Sequence, residues 1–174
     1  KGGTYRTATD LDILALRFPR AGRLTPALKR SPAADEEHAD PDPALGVSAE
    51  QADMIVGEIK EGRAALNEAA TDPGVIRAAL AAFGCCSREE APRVVETLLR
   101  EGSARLPIGH RIRYVVFAST ERSTGNYRSV SLRHVVDSLR AYITEHWEML
   151  RHTDSKDPAF GFLMTLAKAE RGTP

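Results

Sequence analysis

Four charged residues occupy two segments with the alternation and β-branched content of strands. Asp10 and Asp12 lie in 9–16, and Glu58 and Lys60 in 55–61. Residues two apart in a strand share a face, so each pair points one way. If the segments pair as neighbours, three carboxylates and one ammonium converge at one end of a sheet. Carboxylate oxygens suit Mg²⁺, which binds at ~2.1 Å and keeps waters to complete an octahedron. An ion held this way lowers the pKa of a water and polarises a phosphoryl oxygen. A lysine beside it orients that water or steadies the charge growing on phosphorus. Asp12 precedes the apolar run Ile13-Leu14-Ala15-Leu16, and Glu58 follows Ile55-Val56-Gly57. Charges at the ends of such strands are costly unless paired or coordinated. An ion pair alone would satisfy Glu58 and Lys60 but would leave Asp10 and Asp12 unexplained.

The elements that must position these residues follow from periodicity. A strand is expected over 6–18, where Leu11, Ile13 and Ala15 alternate with Asp10, Asp12 and Leu14. From about 19 to 47 come Pro19, Pro26, Pro32, Pro41 and Pro43 and the acidic run Asp35-Glu36-Glu37. That stretch buries too little apolar surface to offset its ordering entropy, so it reads as a mobile insertion. Ser48-Ala49-Glu50-Gln51 has capping-box spacing and predicts a helical turn. A central strand is expected over 53–61, apolar on both faces and ended by Gly62. Asp53 closes the turn before it and points opposite to Glu58.

Helical pattern runs over 63–70. Asp72-Pro73 restarts it as N-cap and first helical residue, and Gly84 stops it. A further helix is expected over 90–100, then a strand over 111–119, a turn at Gly125-Asn126 and a short strand over 127–131. Ser131 caps a long helix over 132–150, whose Leu132, Val135, Val136, Leu139 and Ile143 keep a 3.6-residue period. Asp157-Pro158 opens the last helix. The whole reads as one α/β domain with a helical C-terminal part at about 132–170.

Composition bounds the class. The chain has 174 residues, 42% hydrophobic and 28% charged, with zero net charge. These are values of an ordinary globular domain. No apolar run approaches the ~18 residues of a membrane span, so no membrane partner is expected. Two cysteines, Cys85 and Cys86, cannot build a secreted-type framework; with no second cysteine pair a zinc site is not expected, and 2–6 is polar rather than signal-like. A cytoplasmic location is the expectation. The first residue is Lys1, and the chain reads as starting partway into a longer protein. The balance is uneven along the chain: 103–151 holds Arg105, Arg111, Arg113, Arg122, Arg128, Arg133, Arg140 and Arg151 against Glu121, Asp137, Glu145 and Glu148, an excess of four positive charges. Such a half could track phosphates, with Arg111, Arg113, Arg128 and Arg133 as the candidate nucleic-acid contacts. Solvated faces are the plainer reading of the same arginines. Asn67 reads as a solvated helix position or a substrate contact. His110, His134, His146 and His152 show no metal spacing, and Trp147 and Tyr142 read as core or rim.

The combination Asp12-Ile13-Leu14-Ala15 with Val56-Gly57-Glu58-Ile59-Lys60 resembles the core of the PD-(D/E)xK nuclease superfamily, which includes restriction endonucleases and Holliday junction resolvases. The resemblance implies a restriction-endonuclease-like mixed β-sheet flanked by helices, with the family's N-terminal helix lacking before Lys1. It implies Mg²⁺- or Mn²⁺-dependent hydrolysis of DNA phosphodiester bonds, as an endonuclease. Asp12, Glu58 and the backbone carbonyl of Ile59 would be metal ligands, Asp10 an additional acid, and Lys60 the catalytic lysine. Many similar nucleases pair up, so a homodimer is also implied. Two other readings stay open: a nuclease-fold binding or assembly module without turnover, and a nucleotidyltransferase, whose Gly-Gly and D-x-D signature Gly2-Gly3 and Asp10-Leu11-Asp12 faintly resemble.

Overall fold

The computed structural model describes residues 11–19, 21, 41–48, 50–120, 125–152 and 155–172. They form two compact units, 1–131 and 132–174.

The first unit is α/β. Its strands are β1 (Ile13–Arg17), β2 (Asp53–Arg63), β3 (Ser103–Arg105), β4 (Arg111–Thr120) and β5 (Arg128–Ser131). They make one mixed, open sheet in the order β1-β2-β4-β3, with β5 also on β4. β1 runs antiparallel to β2, in a register that sets Ile13 opposite Gly57. β2 and β4 are parallel, with Glu58 opposite Val116. The helices α1 (Glu68–Thr71), α2 (Pro73–Phe83) and α3 (Ala91–Glu101) lie between β2 and β3 in the chain. A parallel neighbour requires such a crossover.

One face of the sheet is covered by helices. Met54 and Val56 of β2 and Ile112 and Tyr114 of β4 share a core with Ile76 and Leu80 of α2 and Val94, Val95 and Leu98 of α3. The buried Tyr114 hydroxyl donates to the Ala70 carbonyl at 2.6 Å and ties α1 to β4. On the other face, Ile55 and Val115 are also buried. β2 is thus apolar on both sides from Met54 to Gly57, as expected of a central strand.

Several boundaries differ from the periodicity. β1 begins at Ile13, and 6–10 lie outside the described residues, as does most of the 19–47 insertion. The described end of that insertion carries a 3-10 turn, Pro43–Leu45, capped by the Asp42 carboxylate. No helix follows Ser48; its hydroxyl accepts from the Glu50 N–H in a short turn. β2 continues past Gly62 to Arg63, and the Ala64 N–H still reaches the Thr120 carbonyl. Only Glu68–Thr71 of the stretch 63–70 and its successor is helical, because Asn67 starts the turn by accepting from the Ala70 N–H at 2.7 Å. The Asp72 cap, the Pro73 start and the left-handed Gly84 stop of α2 are where the sequence puts them.

The second unit is helical: α4 (Leu132–Glu145), α5 (Trp147–Leu150) and α6 (Pro158–Arg171). The expected single helix over 132–150 is interrupted at His146, which takes φ −100° and ψ 23°. Those angles lie near the sparsely allowed bridge region. Ile143, Trp147 and Leu150 nonetheless stay in one core with Met164. No helix among the described residues is long and apolar enough to cross a membrane.

Candidate active site

The pairing of β1 and β2 decides where the acids fall. Antiparallel pairing with Ile13 opposite Gly57 brings Asp12, the residue before β1, to the Glu58–Ile59 end of β2. Two features hold this end of the sheet. Asp12 Oδ2 accepts from the Ile59 N–H at 2.8 Å, closing the ladder where β1 starts. Gly57 lets the strands approach, since a Cβ there would stand 2.9 Å from the Ile13 Cβ.

Lys60 shares the Glu58 face, and its Nζ lies 2.9 Å from Glu58 Oε2. The Glu58 side chain is 0% exposed and that of Lys60 29%, so the carboxylate is sunk in the sheet while the ammonium reaches its rim. Asp12 is exposed. Asp10 lies outside the described residues.

The donor set fits a hard divalent cation. Asp12 and Glu58 bring two carboxylates to one end of the β1–β2 pair. In an extended strand a residue's N–H and C=O point to the same neighbour, so the Ile59 carbonyl faces the β1 side with Asp12. Among the described residues no group of three or more His, Cys, Asp or Glu side chains could hold a metal ion. Two carboxylates with water and substrate oxygens are what Mg²⁺ ordinarily accepts.

The opposite face holds a charged group whose partners the sequence conceals. Asp53, 2% exposed, is the first residue of β2 and receives both Arg111 and Arg113. Arg111 Nε donates to Oδ1 at 2.9 Å, and Arg113 Nη2 to Oδ2 at 2.7 Å. Arg113 Nε also bonds both oxygens at 3.1 Å. Burial pushes the Asp53 carboxyl up, but the hydrogen bonds and charges of Arg113 and Arg111 outweigh it, and the group titrates below its ordinary 3.8. As its odd offset from Glu58 requires, Asp53 points away from the Asp12–Glu58 pair.

The expected nucleic-acid contacts therefore differ among themselves. Arg111 and Arg113 hold Asp53. The Arg128 guanidinium donates to the Ala44 and Pro43 carbonyls. Arg133 belongs to α4, where it is exposed beside Asp137 at 3.7 Å. Asn67 is the N-cap of α1. Cys85 is buried, Cys86 half-buried, and neither is in a disulfide. Trp147 is in the core of the helical unit and Tyr142 is exposed. Compared with protein-family models, with curated proteins and with solved structures, the chain matches none.

Proposed function

We propose that the chain is a nuclease of the PD-(D/E)xK kind, with a restriction-endonuclease-like core, hydrolysing phosphodiester bonds of DNA with Mg²⁺ or Mn²⁺. The observation that carries this reading is the β1–β2 pairing that brings the Asp12 carboxylate onto the Ile59 N–H, next to Glu58 and the Lys60 bound to it. Asp12, Glu58 and the Ile59 carbonyl would hold the ion. Bound there, it would supply an activated water and a positive charge on the phosphoryl oxygen. Glu58 positions the Lys60 ammonium through Oε2. From the rim of the sheet that ammonium orients the attacking water and offsets charge developing on the phosphoryl group. The Asp12 bond to the Ile59 N–H fixes one oxygen and leaves the other to the ion.

The test is cleavage of plasmid and oligonucleotide DNA by the purified protein. Activity is expected with Mg²⁺ or Mn²⁺ and absent with chelator. Asp12→Ala, Glu58→Gln and Lys60→Met should each lower the rate by about 10²–10⁴-fold. Absence of cleavage, together with no divalent-ion binding by calorimetry, would overturn the proposal.

One observation favours a second reading. Glu58 has no exposed side-chain surface and is already paired with Lys60, as a purely structural ion pair would be. On that reading the chain binds nucleic acid without turnover. Its affinity would fall with salt according to the phosphates contacted and would be the same in Lys60→Met.

A further inference from the structure

The sheet face opposite Asp12 and Glu58 is cationic. Register puts Arg17, Asp53, Arg111 and Arg105 in one row across four strands, with Arg113 and Arg128 in the next rows. Among the described residues, five arginines share this face with Asp53. Arg111, Arg113 and Arg128 border one cavity of about 470 Å³, with Gly46 and Ser103 on its wall. Arg111 and Arg113 spend Nε and Nη2 on Asp53, and Arg111 Nη2 also on the Gly46 carbonyl. Arg128 spends Nε and Nη2 on the carbonyls of residues 43–44. A guanidinium has five N–H donors. Each of the three keeps Nη1 without a hydrogen bond among the described residues. The Nη1 of Arg113 is not among the buried polar atoms that lack a partner, although the residue is only 5% exposed. The Arg113 Nη1 therefore keeps solvent access, and Arg111 and Arg128, which border the same cavity, are more exposed still.

We propose that this cavity is a binding site for a phosphomonoester group, separate from the Asp12–Glu58 site. Asp53 neutralises one of the three guanidinium charges and fixes the orientation of two, leaving two positive charges for a dianion. A phosphate group has more acceptor oxygens than a carboxylate, enough to take a charge-assisted bond from each of the three Nη1 groups. The Gly46 wall is left-handed at φ 58°, and a Cβ there would meet the Arg128 guanidinium at 2.6 Å. Glycine thus keeps that guanidinium in place. Glu101 also borders the cavity, but its carboxylate is held by Arg100 at 2.8 Å. The volume falls within the ~300–1,000 Å³ range of small-ligand pockets. It accommodates the group with the nucleoside or sugar that carries it, or the phosphorylated end of a strand.

The site does not depend on hydrolysis at Asp12 and Glu58, so its test is binding alone. The whole chain is titrated with inorganic phosphate, a nucleoside 5′-monophosphate, and one oligonucleotide with and without a 5′-phosphate. The Arg111 and Arg113 guanidinium resonances should shift on adding inorganic phosphate to the unmutated protein. Arg128→Ala should weaken phosphate binding about tenfold or more, Arg128→Lys less. Arg77→Ala, the same charge change at an exposed position on α2, should leave it unchanged. Tighter binding of the phosphorylated oligonucleotide than of its unphosphorylated form would identify a strand end as the source. Binding of the mononucleotide with no preference between the oligonucleotides would identify a small molecule. No resonance shift, equal losses in Arg128→Ala and Arg77→Ala, or equal oligonucleotide binding that phosphate does not compete away would each overturn the proposal.

Discussion

Asp53 and Glu58 lie on one strand, and both carboxylates are almost without solvent, at 2% and 0% exposure. Asp53 takes two arginines, one of them itself buried, whereas Glu58 takes a lysine that still reaches water. Removing one partner of a buried pair strands the other charge, at ~3–5 kcal/mol. Asp53→Ala, which leaves Arg113 with no counter-charge, should therefore lower stability by about that amount. The acid limb has a definite sign. The folded Asp53 pKa is depressed below 3.8, so its contribution is complete above the unfolded value. It is lost as pH falls through the folded one. Urea unfolding from about pH 5 down to about pH 2 should show that loss, and Asp53→Asn should flatten it. An unchanged acid limb in the variant would mean that Asp53 is not the titrating group. The β1–β2 pairing that brings Asp12 to the Glu58 end of β2 could be read from the sequence because it needs only two neighbouring strands with period-two faces. The Asp53 group could not, because Arg111 and Arg113 reach it only through the parallel β2–β4 register, with the α1–α3 crossover intervening.

At the scale of the element, the site depends on how tightly β1 lies on β2. Gly57 has no catalytic group, yet the Ile13 Cβ would stand 2.9 Å from a Cβ at 57, too close for two β-carbons. Both atoms sit on backbone, so neither can rotate away, and Gly57→Ala must move β1. Overpacking of this kind costs ~1–3 kcal/mol. The displaced strand carries Asp12 with it, one residue beyond the contact. The expected outcome is a protein that keeps its helical circular dichroism, loses amide protection at Ile59 and loses most of the proposed metal-dependent cleavage. Retention of both Ile59 protection and cleavage would show that β1 has slack. Sequence signals served the elements unequally. Asp72-Pro73 and Asp157-Pro158 carry their caps locally, so α2 and α6 start where they should. β3 has three residues, too few for alternation to register. The α4–α5 break is invisible because Ile143, Trp147 and Leu150 keep one helical face through it.

At the scale of the molecule, the sheet unit and the helical unit have different amounts of core. The first joins Met54, Val56, Ile76, Leu80, Leu98, Ile112 and Tyr114 in one cluster. The second has Ile143, Trp147, Leu150 and Met164, with Phe160, Leu163 and Ala167 beside them. A helical segment of this size buries too small a fraction of its surface to be strongly stable alone, and regions with few buried apolar contacts open first. Trp147, the only tryptophan, lies in that smaller core with the Arg171 guanidinium 4.4 Å from its ring centroid. Its fluorescence therefore reports the helical unit by itself. In a urea titration the Trp147 signal should change at lower denaturant than amide exchange at Val56 and Val115, which report β2 and β4. Arg171→Ala removes a cation–π contact of ~0.5–1 kcal/mol and should move the fluorescence midpoint down while leaving the β2 and β4 amides where they were. A single coincident transition, shifted as a whole by Arg171→Ala, would mean that the two units unfold as one and that the small helical core is not the limit on its own stability.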